Sequence, residues 1–348
     1  MRASTSWQEL VAIHQRTSAP GRAPGTPRRD AIVLAGGSGR RLAGYARTVA
    51  EAGLSKQFCA FESGRSLLVR TLERIGALVA PSRTWVSVRR EHAAVARAQL
   101  GASAARLVIQ PSDCGTAPGL LLPLIEALVD APEAAVLVTP ADHGVAREPL
   151  LREAVEHAFA VVETDPDRIV LIGSEPEGAA TDYGWIVPAL GAAARRRRGR
   201  AAHGSRRPCG ASPVAGAATR ARAVASFVEK PSLAAARRLE RAGGLWSTMI
   251  LVGGGRALFS LFEQATRPLV RLFVHAAALG ARERSAYLAN AYASIPSLDF
   301  SAQILARAEA LSVVALPREA GWTDLGTPER LRAWLGERES DADAPSAA

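Results

Sequence analysis

Ala31-Ile32-Val33-Leu34-Ala35-Gly36-Gly37-Ser38-Gly39-Arg40-Arg41-Leu42 is an apolar run that breaks into glycines and then into two arginines. Ile32, Val33 and Leu34 have the pattern of a strand buried on both faces. Gly36, Gly37 and Gly39 follow as a tight turn, where the lack of Cβ atoms lets several backbone N–H groups approach one anion. A helix starting beyond the turn adds partial positive charge, and Arg41 adds a full charge with a planar fork of donors. The stretch is a candidate phosphate cradle. It lacks the Gly-x-Gly-x-x-Gly spacing of dinucleotide-binding turns and the Gly-Lys-Ser/Thr ending of a P-loop. Taken alone, it also fits a plain strand-to-helix turn.

Outward from this stretch, strand and helix patterns alternate from Asp30 onward, which predicts a mainly parallel sheet covered by helices on both faces. Strands are expected at 84–88, 106–109, 134–139, 168–172, 224–228, 245–252 and 312–316. The intervening helices are expected at 66–78, 91–100, 119–129, 149–162 and 232–241, with a last one at 327–335. Gln110 to Pro118 and Pro140-Ala141-Asp142-His143 then fall at carboxyl ends of strands, where open α/β sheets bind ligands.

At the N-terminus, Ser4-Thr5-Ser6 caps a short helix through Arg16 with Trp7, Leu10, Val11 and His14 on one face. Residues 18–27 read as a Pro/Gly-rich linker. Residues 1–29 are therefore expected to be a flexible extension, with His14 on its surface. Residues 191–222 are Ala, Gly and Arg, too poor in large apolar groups to order themselves, and read as a disordered surface insertion. Residues 337–348 read as a solvated tail, leaving 30–336 as one domain.

The formal charge of +10 is peripheral. Residues 1–29 carry five Arg against one Glu, 191–222 carry nine Arg and no acid, and 337–348 are net acidic, which leaves the body neutral. A specific nucleic-acid partner is therefore not expected. A polyanion-binding role through the insertion is a competing reading, weakened because no aromatic residues are interleaved with its arginines. No apolar run reaches the ~18 residues of a membrane span. The N-terminus lacks a secretory apolar centre, so the expected compartment is the cytoplasm. Cys59, Cys114 and Cys209 form no Cys-x-x-Cys pair and indicate neither a disulfide framework nor a zinc site.

Leu34-Ala35-Gly36-Gly37-Ser38-Gly39-x-Arg41-Leu42 with Lys56-Gln57-Phe58 resembles the signature of sugar-1-phosphate nucleotidyltransferases, most closely the mannose-1-phosphate guanylyltransferase group. Further matches follow in order: Gln110-Pro111, Gly115-Thr116-Ala117-Pro118, Pro140-Ala141-Asp142-His143, Tyr183-Gly184-Trp185-Ile186, Phe227-Val228-Glu229-Lys230-Pro231, Leu245-Trp246 and Gly321-Trp322-Thr323-Asp324-Leu325-Gly326. The resemblance spans residues 30–335. It implies a Rossmann-like mixed sheet of the nucleotide-diphospho-sugar transferase type. No hexapeptide repeat of the C-terminal β-helix carried by some relatives is seen.

By resemblance, Leu34 to Gly39 (Leu34, Ala35, Gly36, Gly37, Ser38 and Gly39) hold the nucleotide, with Gln110, Gly115 and Thr116 facing the base. Arg41 and Lys56 offset charge at the reacting phosphates. Tyr183, Gly184, Glu229, Lys230 and Ser247 form the sugar-phosphate side, and Asp142 and Asp324 the Mg²⁺ pair. Two carboxylates suit Mg²⁺, which keeps the rest of its octahedron for phosphate and water. The implied substrates are an NTP, first of all GTP, and a sugar 1-phosphate, first of all mannose 1-phosphate. A sugar phosphate oxygen is already ionised at neutral pH, so transfer requires alignment and charge neutralisation rather than a general base.

Arg40, Ser55, Asp113-Cys114 and Ser247 depart from the family pattern, Ser247 replacing a longer asparagine. Another base or sugar, or a catalytically silent nucleotide-binding regulator, are the alternatives. A homo-oligomer is left open.

Overall fold

A computed structural model describes residues 4–17, 28–37, 54–61, 64–189 and 220–342, with side chains as far as 336. The apolar run before the glycines is strand β1 (Arg29–Leu34), which lies between two parallel neighbours, β2 (Thr84–Arg89) and β4 (Ala135–Pro140). β3 (Arg106–Gln110) continues the parallel set outside β2. On the other flank, β9 (Leu245–Gly254) runs antiparallel between β4 and β6 (Ile169–Ser174), and β10 (Leu311–Leu316) is parallel to β6. β7 (Trp185–Pro188) and β8 (Arg222–Val228) add an antiparallel edge. The order β3-β2-β1-β4-β9-β6-β10-β8-β7 is the mainly parallel mixed sheet the alternation predicts. β5 (Gly144–Val145) and β11 (Trp322–Thr323) make a separate two-stranded ribbon.

Both faces are covered because successive strand residues serve opposite cores. Ile32, Val136 and Val138 pack with α1 (Thr5–Thr17), α4 (Thr116–Asp130) and α7 (Gly255–Ala278). Ala31, Val33 and Leu137 pack with α2 (Leu67–Gly76), α3 (Ala93–Leu100) and α5 (Glu148–Thr164). Ser66 caps α2 by accepting from the Val69 N–H at 3.3 Å, and Ser232 caps α6 (Leu233–Arg241) in the same way. α8 (Ala281–Tyr292) and α9 (Phe300–Gln303) lead to β10, and α10 (Pro328–Ala342) follows β11.

Two boundaries differ from the sequence reading. Residues 5–17 are not a loose extension: Trp7, Leu10 and Ile13 are buried, and the Trp7 ring meets Phe259 edge-on at 5.0 Å. His14 bonds through Nδ1 to the Val129 carbonyl at 2.8 Å. The apolar stripe had a partner that local sequence does not reveal, since Phe259 lies far along the chain. At the other end, α10 runs to Ala342, into the stretch read as tail, and its Leu331 and Trp334 are buried. Most of the Arg-rich stretch lies outside the described residues, and its last residue, Arg222, begins β8.

After β1 the chain builds β2 and β3 on one side, then crosses to β4 on the other. The carboxyl ends of β1 and β4 therefore flank a topological switch point, the place where such sheets open a crevice for ligands.

Candidate active site

Leu34 and Pro140 are register partners, so the glycine turn and the Asp142 loop leave the sheet side by side. The Ala141 N–H donates to the Leu34 carbonyl at 3.0 Å. Asp324 reaches the same place through the ribbon: Gly144 pairs with Thr323 and Val145 with Trp322, which sets the two aspartate loops against each other.

Lys56 joins them. Lys56-Gln57-Phe58 form one buried 3₁₀ turn. The Lys56 ammonium lies 2.9 Å from Asp142 Oδ2 and donates to the Asp324 carbonyl at 2.5 Å and the Leu325 carbonyl at 3.2 Å. Three donors thus meet three acceptors. Leu325 adopts a left-handed conformation, φ 49°, in which consecutive carbonyls converge on one ammonium. Burial opposes ionisation of Asp142, but the charge and hydrogen bond of Lys56 outweigh it, and the carboxyl sits below its ordinary pKa. Burial lowers the His143 pKa to about 4, against the pull of Asp142. The neutral ring accepts from Trp322 Nε1 at Nδ1 (3.3 Å), which leaves its proton on Nε2.

Asp324 is held from the other side. Its Oδ1 accepts from Tyr183 Oη at 3.0 Å, the Gly326 N–H at 2.9 Å and Arg330 Nη1 at 3.1 Å, while Oδ2 takes none of the three. Arg330, on α10, also donates to Asp182 at 2.9 Å and stacks 4.3 Å from the centre of the Tyr183 ring. Its pKa is raised despite burial, through hydrogen bonding to Asp182 and the charge of Asp324. Neither Arg330 nor Asp182 is singled out by the motif reading.

Gln57 is a third residue that reading left without a role. Its Nε2 donates to the carbonyls of Ala35 and Gly37 at 2.8 and 2.9 Å and so fixes the start of the glycine turn. Ser38, Gly39 and Arg41 lie outside the described residues. Gly36 packs on Gln110, where a Cβ would stand 3.0 Å from Nε2. That amide donates to Ser87 Oγ at 3.1 Å. Gly115 and Thr116 pack against the segment at 298–300. Gly115 has φ 89° and a Cβ there would collide with the Leu298 carbonyl, while Thr116 Oγ1 accepts from the Phe300 N–H at 2.8 Å.

Gly184, Glu229 and Ser247 form a second group. The Ser247 N–H donates to the Gly184 carbonyl at 2.7 Å, and a Cβ on Gly184 would lie 2.6 Å from Glu229 Oε2. Burial raises the Glu229 pKa, partly offset by Lys230, whose ammonium is 3.4 Å away. Tyr183 ties this group to the aspartates, its ring 4.9 Å from Trp246 and its hydroxyl on Asp324. Trp185 is fully buried and belongs to the core.

The oxygen donors of Asp142 and Asp324, one kept ionised by Lys56 and the other braced by Arg330, suit a hard divalent cation with phosphate completing its shell. Among the described residues no helix is long and apolar enough to cross a membrane.

The chain is similar to several known proteins. The chain is 29% identical over 304 residues to the xanthan biosynthesis protein XanB of Xanthomonas campestris pv. campestris (strain B100), covering 85% of this chain and 57% of that one. Against the mannose-1-phosphate guanylyltransferase of Escherichia coli (strain K12), identity is 28% over 311 residues, with the same coverage. The chain thus spans just over half the length of these relatives. A solved structure from Thermus thermophilus, described as a mannose-1-phosphate geranyltransferase, superposes with a TM-score of 0.71 at 28% identity, covering 88% of this chain and 79% of that one. The Nucleotidyl transferase family model matches residues 30–336, and the chain belongs to that family.

Proposed function

We propose that this protein transfers a nucleoside monophosphate from an NTP to a sugar 1-phosphate, releasing pyrophosphate. The observation that carries the reading is that the Lys56 ammonium joins the Asp142 carboxylate to the Asp324 main-chain carbonyl at the switch point, bringing together two aspartate loops far apart in sequence. GTP and mannose 1-phosphate are the first substrates to try, given the relatives' names.

Dependence on a divalent metal is general in this family, and Asp142 and Asp324 are the residues that would hold Mg²⁺. When bound, it neutralises charge on the triphosphate and the departing pyrophosphate. Gly36 and Gly37, set by Gln57, begin the phosphate cradle, with Ser38, Gly39 and Arg41 completing it. Lys56 fixes the distance between the aspartate loops and adds positive charge beside them. Tyr183, Glu229, Lys230 and Ser247 receive the sugar phosphate, and Gly184 gives the Glu229 carboxylate room to sit among them. The ionised sugar phosphate oxygen attacks the α-phosphate directly, and pyrophosphate leaves with the electron pair of the broken P–O bond. No residue accepts a proton in that step.

The test is pyrophosphate release with Mg²⁺ over a grid of common NTPs and sugar 1-phosphates. Release that requires one nucleotide and one sugar phosphate together supports the reading and names the pair. Nucleotide binding without release from any pair contradicts it.

A further inference from the structure

Arg89 ends β2 at the crevice, beside Gly36 and Gln110. The register pairs it with Gln110, and a Cβ on Gly36 would lie 3.9 Å from Arg89 Cγ. Its side chain is 10% exposed, and its one close ion-pair partner sits largely in solvent. Glu91, at 2.8 Å, is 62% exposed, and Asp113 stands at 3.8 Å, beyond hydrogen-bonding distance. His92 meets Nη2 at 3.5 Å. Burial, with Arg89 adding to it, lowers the His92 pKa, which keeps a second positive charge away from the guanidinium. Arg89 Nε is buried with no partner among the described residues.

A buried donor without an acceptor is rare in native proteins and calls for an explanation. The neighbouring groups expected to face the base already have partners: Gln110 Nε2 donates to Ser87, and Thr116 Oγ1 accepts from Phe300. Arg89 brings to this end of the sheet donors that those contacts leave open.

We infer that Arg89 reads the base, its guanidinium fork donating to the O6 and N7 acceptors on one edge of guanine. Adenine presents N7 beside an N6 amino donor on that edge, so the same fork meets a donor instead of an acceptor. A guanidinium here selects guanine over adenine, which deepens the proposed function by assigning its base choice. The inference rests on that reading only in placing the nucleotide in this crevice.

The test compares wild type, Arg89→Lys and Arg89→Met by calorimetric binding of GTP, ATP and 7-deaza-GTP, which lacks the N7 acceptor. Pyrophosphate release is followed in parallel, and thermal unfolding checks that each variant folds. Arg89→Met is expected to weaken GTP binding by about 5- to 150-fold, to leave ATP within about threefold and to abolish the penalty of 7-deaza-GTP. Arg89→Lys keeps charge without the planar fork and falls between. A wild type that binds no GTP, equal losses for GTP and ATP, or a 7-deaza penalty that survives Arg89→Met each overturn the inference. Arg89-dependent guanine preference in a protein that releases no pyrophosphate overturns the proposed function and leaves this inference standing.

Discussion

Replacing Lys56 by Met keeps most of the side-chain volume and removes the ammonium on which the aspartate loops converge. The Lys56 side chain is 7% exposed, and three acceptors lose their donor: Asp142 Oδ2 and the carbonyls of Asp324 and Leu325. Breaking a buried ion pair from one side costs about 3–5 kcal/mol. Asp142 is 31% exposed and regains water on one flank, which discounts the expected loss to about 2–3 kcal/mol. Much of it is the stranded carboxylate, so Asp142→Asn in the same protein recovers part of the loss. A double-mutant cycle by denaturant unfolding of wild type, Lys56→Met, Asp142→Asn and the double variant measures this directly. The expected coupling is at least ~1 kcal/mol. Single effects that add within ~0.5 kcal/mol would refute the strut.

The docked N-terminal helix predicts that Leu10→Ala, at a fully buried position, lowers unfolding free energy by about 3 kcal/mol; an unchanged unfolding midpoint would mean the helix does not pack. Gly184→Ala puts a Cβ against Glu229 Oε2 and Phe227 and is expected to raise KM for the sugar phosphate at least ~10-fold, while KM for the nucleotide stays within about twofold; equal changes in both would remove Gly184 from the sugar side. At the far end of the sheet, burial opposes ionisation of Asp130, but Arg28 and Arg106 outweigh it and depress its pKa. A depressed carboxyl stabilises the fold above its unfolded-state pKa, and that contribution is lost as pH falls through the lower folded-state value. Asp130→Asn should therefore cost about 0.5–1 kcal/mol at pH 7 and progressively less in acid, read from unfolding curves at pH 7 and pH 3; a gap that widens in acid contradicts the assignment.

The sheet was legible because its strands announce themselves locally: Ile32 to Leu34, Val136 to Thr139 and Val313 to Leu316 are short apolar runs bounded by glycine, proline or charge. The chain's exit from β1 at Gly36 and Gly37 was legible for the same reason, as glycines after an apolar run. Asp142 and Asp324 were legible only through resemblance, since neither has a local signature and the ribbon that joins their loops pairs residues far apart in sequence. Gln57, Arg330 and Arg89 were not legible as site residues. Gln57 and Arg330 act across folded space, on the carbonyls of Ala35 and Gly37 and on Asp182 and Asp324. Arg89 falls one residue beyond the strand read from sequence, which ended at Val88, whereas pairing with Gln110 extends β2 to include it. The N-terminal helix displayed its apolar stripe, but an amphipathic stripe does not name the surface that receives it.

In the proposed function, Asp142 and Asp324 together form the charged centre at which the nucleotide reacts. The most direct measurement is Mg²⁺-dependent pyrophosphate release by wild type, Asp142→Asn and Asp324→Asn on the best substrate pair, alongside nucleotide affinity and thermal unfolding of each protein. A fall of at least ~100-fold in kcat is expected for each variant, about 2.7 kcal/mol of transition-state stabilisation, with the fold retained. A folded variant of either aspartate that turns over within about threefold of wild type would contradict it.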